Sequence, residues 1–183
     1  MNKRLRKQIF NNGIYSLVPI RHQDRYEIMK WRNEQIYHLR QGKPLTKMDQ
    51  DKYFNTIVSS LATQKFPDQI LFSYLERDKC IGYGGLVHIN YLDKHAEISF
   101  IMDTSLERDF FEFHWGNYVK MIEEFAFKNI QFHKLFVYAF DLRPNLYRVL
   151  ETCAYFKDAV LKEHCFYSEK FIDVVIYSKL NQQ

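Results

Sequence analysis

From Gln69 onward the apolar pattern of this chain changes from helical spacing to a strict period of two, and that switch limits the folds open to it. Three alternating runs, Ile70–Glu76, residues 80–90 and His95–Met102, are parted only by Arg77-Asp78-Lys79 and Tyr91-Leu92-Asp93-Lys94. Connections this short join neighbouring antiparallel strands, because a parallel pair needs a crossover of a dozen residues or more. In the third run Ala96, Ile98, Phe100 and Met102 share one face, while His95, Glu97, Ser99 and Ile101 share the other. The first face reads as core, and the second carries groups able to do chemistry.

Helical patterns flank this sheet. A short strand over residues 14–20, with Ile14, Ser16, Val18 and Ile20 on one side, precedes a helix over 23–39 in which Tyr26, Met29, Lys30, Asn33, Ile36 and Tyr37 recur at spacings near three and four. Gly42 and Pro44 break it. Thr46 is placed to cap a second helix carrying Tyr53, Phe54, Ile57, Val58 and Leu61, and Pro67 closes that region. After the three strands, Phe111, Trp115, Tyr118, Val119, Ile122, Phe125 and Ala126 form an amphipathic helical stripe. Lys134–Phe140 reads as a buried strand, Arg143-Pro144 opens a shorter helix, and residues 156–166 and 171–180 make a final hairpin. The order β-α-α-β-β-β-α-β-α-β-β places helices within a mixed sheet, an α+β fold.

With 183 residues, 46% of them apolar, and no linker or low-complexity stretch, one domain is expected over residues 14–183, preceded by a basic tail over 1–13. The 26 Lys and Arg exceed the 22 Asp and Glu by four. Lys3, Arg4, Arg6 and Lys7 account for that surplus, so the body is neutral and no nucleic-acid partner is expected. Cys80, Cys153 and Cys165 form no C-x-x-C spacing, and no apolar run approaches a membrane span. The basic start leads into Ile9, Phe10, Asn11, Asn12 and Gly13 rather than an apolar signal region. A cytoplasmic protein without membrane contact is expected, and 16 Phe and 13 Tyr leave room for a homodimer contact. His88 and His95 bracket a turn, yet no cysteine or acid completes a ligand set, so no metal is expected. Gly82-x-Gly84-Gly85 lies inside a strand and leads into no helix, which fits a close backbone approach better than a phosphate loop.

The element order resembles the GCN5-related N-acetyltransferase (GNAT) superfamily from about Tyr15 to Leu180. Arg148-Val149-Leu150-Glu151, Glu163-His164 and Asp173-Val174-Val175-Ile176-Tyr177-Ser178 resemble the end of the ribosomal-protein N-terminal acetyltransferases. Lys30-Trp31-Arg32-Asn33 is similar to the first helix of acetyltransferases that modify nucleotide-linked amino sugars. The resemblance implies a three-layer α/β/α fold with a mixed, mainly antiparallel, splayed sheet. It also implies direct acetyl transfer from acetyl-coenzyme A to a small-molecule or peptide amine, with a nucleotide-linked amino sugar as first choice and a protein N-terminus as the alternative. Pantetheine would lie along the main chain of Phe100, Ile101 and Met102, with Arg108, Arg143 and Asn145 as further binding groups. Trp31, Arg32, Asn33 and His88 would wall the acceptor side.

Glu97, mid-strand on the polar face, is the expected proton acceptor, directly or through water. Leu150 stands where relatives place a tyrosine acid, so Tyr147, one turn earlier, is the expected substitute. Relatives also carry Arg or Gln, two residues, Gly, one residue, then Gly or Ala in the pyrophosphate loop. Residues 103–114 contain no glycine, and this departure supports a second reading as an acetyltransferase-like binding module without catalysis.

Overall fold

The alternation between residues 70 and 102 folds as read. In a computed structural model, which describes residues 9–182, β3 (Ile70–Glu76), β4 (Lys79–Asn90) and β5 (His95–Met102) form consecutive antiparallel pairs. They are the centre of an eight-stranded sheet that also contains β1 (Phe10–Asn12), β2 (Tyr15–Pro19), β6 (Lys134–Phe140), β7 (Phe156–Tyr167) and β8 (Lys170–Leu180), in the order β1-β2-β3-β4-β5-β6-β8-β7. Strand β1 falls inside the segment read as a tail. Phe10 is buried against Phe72 and Phe125, so the packed domain begins before residue 14. Lys3, Arg4, Arg6 and Lys7 lie outside the described residues.

The two faces of β5 go to different cores. Phe100 and Met102 pack with α4 (Thr104–Glu123) and α5 (Pro144–Thr152) through Trp115, Tyr118, Ile122 and Leu146. Ile101 packs on the opposite side with Ile28 and Trp31 of α1 (Arg25–Glu34) and with Phe54. The result is three layers, helix on sheet on helix. Thr46 caps α2 (Lys47–Tyr53) as expected, in a reciprocal capping box with Asp49. A π-helical turn, Phe54–Val58, carries α2 into the short α3 (Ser59–Leu61).

Two helix boundaries differ from the sequence reading. Helix α1 stops at Glu34 rather than 39, because the buried Gln35 amide donates to the Met102 carbonyl at 2.7 Å and to Thr104 Oγ1 at 3.1 Å. Helix α4 begins at Thr104, so most of the segment read as a pyrophosphate loop is helical. Asp103 starts it by accepting the Ser105 N–H.

Strands β5 and β6 run parallel but pair only at His95 with Lys134, Ala96 with Leu135 and Glu97 with Phe136. Past Glu97 they diverge, while β6 stays paired with β8 to its end. This splay parts two neighbouring strands in the middle of the described sheet. Among the described residues no helix is long and apolar enough to cross a membrane.

Candidate active site

The divergence of β5 and β6 opens a cleft of about 570 Å³, open solvent at its mouth included, lined by Glu97, Ser99, Phe100, Trp115, Tyr138 and Arg143 among others. Glu97 stands at its apex, 5% exposed, at the last position where the two strands pair. A bulge after Val87 puts His88 in the left-handed region, φ 47°, and brings its ring to Glu97. His88 Nδ1 donates to Glu97 Oε2 at 2.7 Å, and Arg40 Nη2 donates to Oε1 at 2.5 Å. The Arg40 guanidinium also covers the Tyr138 ring, 4.8 Å from its centroid. Tyr138 lines the opposite wall with its hydroxyl 3.7 Å from Cys165 Sγ. Burial first, and the Cys165 contact second, push the Tyr138 pKa up to about 12, so its phenol keeps its proton through neutral pH.

At the other end of the cleft lies Arg143, immediately before α5. Its Nη2 donates to Glu107 Oε1 at 2.7 Å, its Nη1 lies 3.2 Å from His38 Nδ1, and its guanidinium faces the Phe111 ring at 4.9 Å. Burial raises the Glu107 pKa and lowers that of Arg143, each ion partly offsetting the cost for the other.

Burial, and then the Arg143 charge, push His38 from its ordinary 6.5 down to about 3. The folded protein therefore keeps this imidazole neutral, while the unfolded chain takes up a proton as pH falls below about 6.5, and stability drops until about pH 3. The sign follows from a folded pKa below the unfolded one. Wild-type protein should lose about 2 kcal/mol from this group between pH 7 and pH 5, a loss absent from His38→Gln. Urea titrations of both proteins at the two pH values measure the difference.

The family profile for an acetyltransferase (GNAT) domain matches residues 17–176. The chain belongs to this family. It is accordingly an acyltransferase enzyme whose acetyl donor is acetyl-coenzyme A. Its fold is similar to that of the spermidine N-acetyltransferase from Vibrio cholerae in complex with CoA and spermine, with a TM-score of 0.78 at 17% identity over 93% of this chain and 97% of that one. It is also similar to a GCN5-related N-acetyltransferase from Brucella melitensis, with a TM-score of 0.71 at 15% identity over 96% of this chain and 79% of that one. No curated protein matches in sequence.

The GNAT chain brings together some of the residues read from sequence and separates others. Glu97, Phe100 and Arg143 line the cleft, and His88 is joined to it through its bond to Glu97. Ile101 and Met102 are buried, and the Met102 carbonyl is already taken by Gln35. Trp31 is core, 1% exposed, and does not wall the cleft. Arg32 donates to Tyr83 Oη and Gln41 Oε1, and Asn33 bonds both main-chain groups of Leu45. These two therefore brace residues 35–46, the segment that delivers Arg40. Arg108 points into solvent, 91% exposed, beside Asp109. Asn145 accepts from Arg148 and lines a second pocket between α4 and α5 rather than the splay cleft. Tyr147 stacks on Tyr177 and donates to Asp141 at 2.8 Å, outside the cleft lining. Tyr138 is the tyrosine facing the splay.

The cleft fits the donor's pantetheine arm. It is narrow, half polar and flanked by the free edge of β5, and the buried indole N–H of Trp115 on its wall has no acceptor among the described residues. Arg143, in place of glycines, would be the group to meet a phosphate at the far end. Among the described residues no three His, Cys, Asp or Glu side chains are grouped as a metal site requires.

Proposed function

We propose that this enzyme acetylates, by direct transfer, a primary amine carried on an anionic small molecule of the nucleotide-linked amino sugar class. The carrying observation is Glu97 at the apex of the splay, held by Arg40 and His88. When bound, acetyl-coenzyme A supplies an activated thioester to an uncharged amine. The chain's own work is the movement of protons. A carboxylate accepting from His88 Nδ1–H leaves the lone pair of that imidazole on Nε2, so the pair takes a proton from an ammonium at the mouth. Glu97 is the orienting partner in this reading, and Tyr138 Oη holds the proton on the facing wall. Tyr147, engaged with Asp141, is not assigned that role.

The anionic carrier is supported by charge. Between Glu34 and Asp49 the chain carries Arg40, Lys43 and Lys47 and no carboxylate, and Arg40 reaches the cleft. With Arg40 paired to Glu97, the surplus charge of this segment rests on Lys43 and Lys47, which favours a diphosphate over a polycation. A polyamine acceptor is the second reading, supported by the fold likeness to the spermidine enzyme. Release of free thiol from acetyl-coenzyme A, with nucleotide amino sugars, spermidine and short peptides side by side, separates them. The expected result is a kcat/KM for a nucleotide amino sugar at least about tenfold above that for spermidine, a difference of about 1.4 kcal/mol. Spermidine or a peptide in first place overturns the carrier assignment, and no thiol release with any amine overturns the transfer mechanism.

A further inference from the structure

We infer that Glu107 is a resident counter-ion that holds Arg143 across the phosphate end of the cleft and opposes an incoming phosphate, so that Glu107 sets donor affinity by competition for that guanidinium. The inference rests on acetyl-coenzyme A being the donor, and it concerns how this chain handles a phosphate end that lacks glycines.

Arg143 lines the splay cleft and also a second, open pocket between α4 and α5, so its side chain is the shared wall of the two. It is 10% exposed and Glu107 17% exposed, and their contact ties the first turns of α4 to the start of α5. A phosphate-bearing molecule threaded from the splay to the outside passes this wall. Other groups at the start of α4 are unhelpful to an anion. Asp103 caps the helix through Ser105, and Thr104 Oγ1 donates to Glu34. Arg108, the neighbouring cation, points away. Arg143 is therefore the cation in position to meet a phosphate, and in the free protein a carboxylate occupies it.

A guanidinium forms strong paired bonds with phosphate oxygens, whereas here Nη2 makes one bond to Glu107 and Nη1 one contact to His38, which fix the direction in which the remaining N–H groups point. A phosphate brought to Arg143 competes with Glu107 for the same guanidinium and faces the Glu107 carboxylate across it. Both effects work against the bound state, and only the difference between free and bound states moves affinity. Removing the Glu107 charge removes both.

Calorimetric titration with coenzyme A and with pantetheine, which shares the arm and lacks every phosphate, tests this. Glu107→Gln is expected to bind coenzyme A about tenfold tighter than wild type, with pantetheine affinity unchanged, and Glu107→Ala should move in the same direction. A coenzyme A affinity that is unchanged or weaker in both variants overturns the inference, as does a gain shared equally by pantetheine. If neither ligand binds wild type or either variant, it is the donor assignment that fails, and this inference falls with it. Coenzyme A binding to the variants but not to wild type is the strongest support.

Discussion

Glu97→Gln is expected to lower kcat about a hundredfold while leaving coenzyme A affinity within about twofold. The substitution keeps shape and volume at a site that is 5% exposed, so the effect is one of hydrogen-bond polarity. Both Glu97 oxygens now accept, one from Arg40 and one from His88. A glutamine has one oxygen and one amide N–H2 for these two donors. If the amide nitrogen faces His88, the imidazole must accept on Nδ1 and carry its proton on Nε2, where the acceptor's proton should go. If it faces Arg40, two donors oppose each other and Arg40 leaves the Tyr138 ring. Either arrangement spoils the proton relay without touching the free edge of β5. His88→Gln should fall by a similar factor, and the double variant should lose no more than the worse single one, because residues acting as a unit are not additive. Turnover of Glu97→Gln equal to wild type removes the pair from the mechanism, and additive losses remove the coupling.

The sheet was legible because its strands announce themselves by alternation, and the short connections between β3, β4 and β5 leave one pairing. Glu97 was legible for the same reason, since the face opposite Ala96 and Ile98 had to hold it. Strand β1 was not, because Phe10-Asn11-Asn12 is too short to show a period, and only the burial of Phe10 against Phe72 and Phe125 reveals it. The start of α4 was hidden by expecting a loop where charged residues follow Asp103, although that aspartate with Ser105 is a capping signal that could have been read. Arg40 and Glu107 left no trace in sequence. Each acts through one ion pair to a residue far along the chain, Glu97 or Arg143, and such pairs depend on where loops cross rather than on local pattern. Of the motif Trp31-Arg32-Asn33, Trp31 is core, and the other two side chains brace residues 35–46 rather than line the cleft.

Gly84→Val should destabilise the fold by at least about 3 kcal/mol, which for a chain of this size lowers Tm by roughly 6 to 12 °C. A Cβ built on Gly84 would lie 2.0 Å from the Ser99 carbonyl oxygen, 2.8 Å from Phe100 Cα and 2.7 Å from Tyr118 Oη. None of these can yield cheaply. Gly84 pairs with Phe100 in the β4–β5 register, the Phe100 ring is stacked on Tyr118 at 3.9 Å, and Tyr118 Oη donates to the same Ser99 carbonyl at 3.0 Å. A larger residue must therefore part the two strands or expel a fully buried tyrosine. Parting them moves Ser99 and Phe100, which line the cleft, and shifts Glu97 two residues earlier on the same strand, so donor affinity should fall together with stability. Gly116→Ala in α4 is the matching control. Nothing stands within 4 Å of a Cβ there, and the substitution should be neutral or stabilise by up to about 1 kcal/mol. Urea unfolding of the two variants beside wild type decides the matter. A Gly84→Val protein as stable as Gly116→Ala would mean that β4 and β5 separate freely, and the rigid placement of Glu97 on which the proton relay depends would have no structural basis.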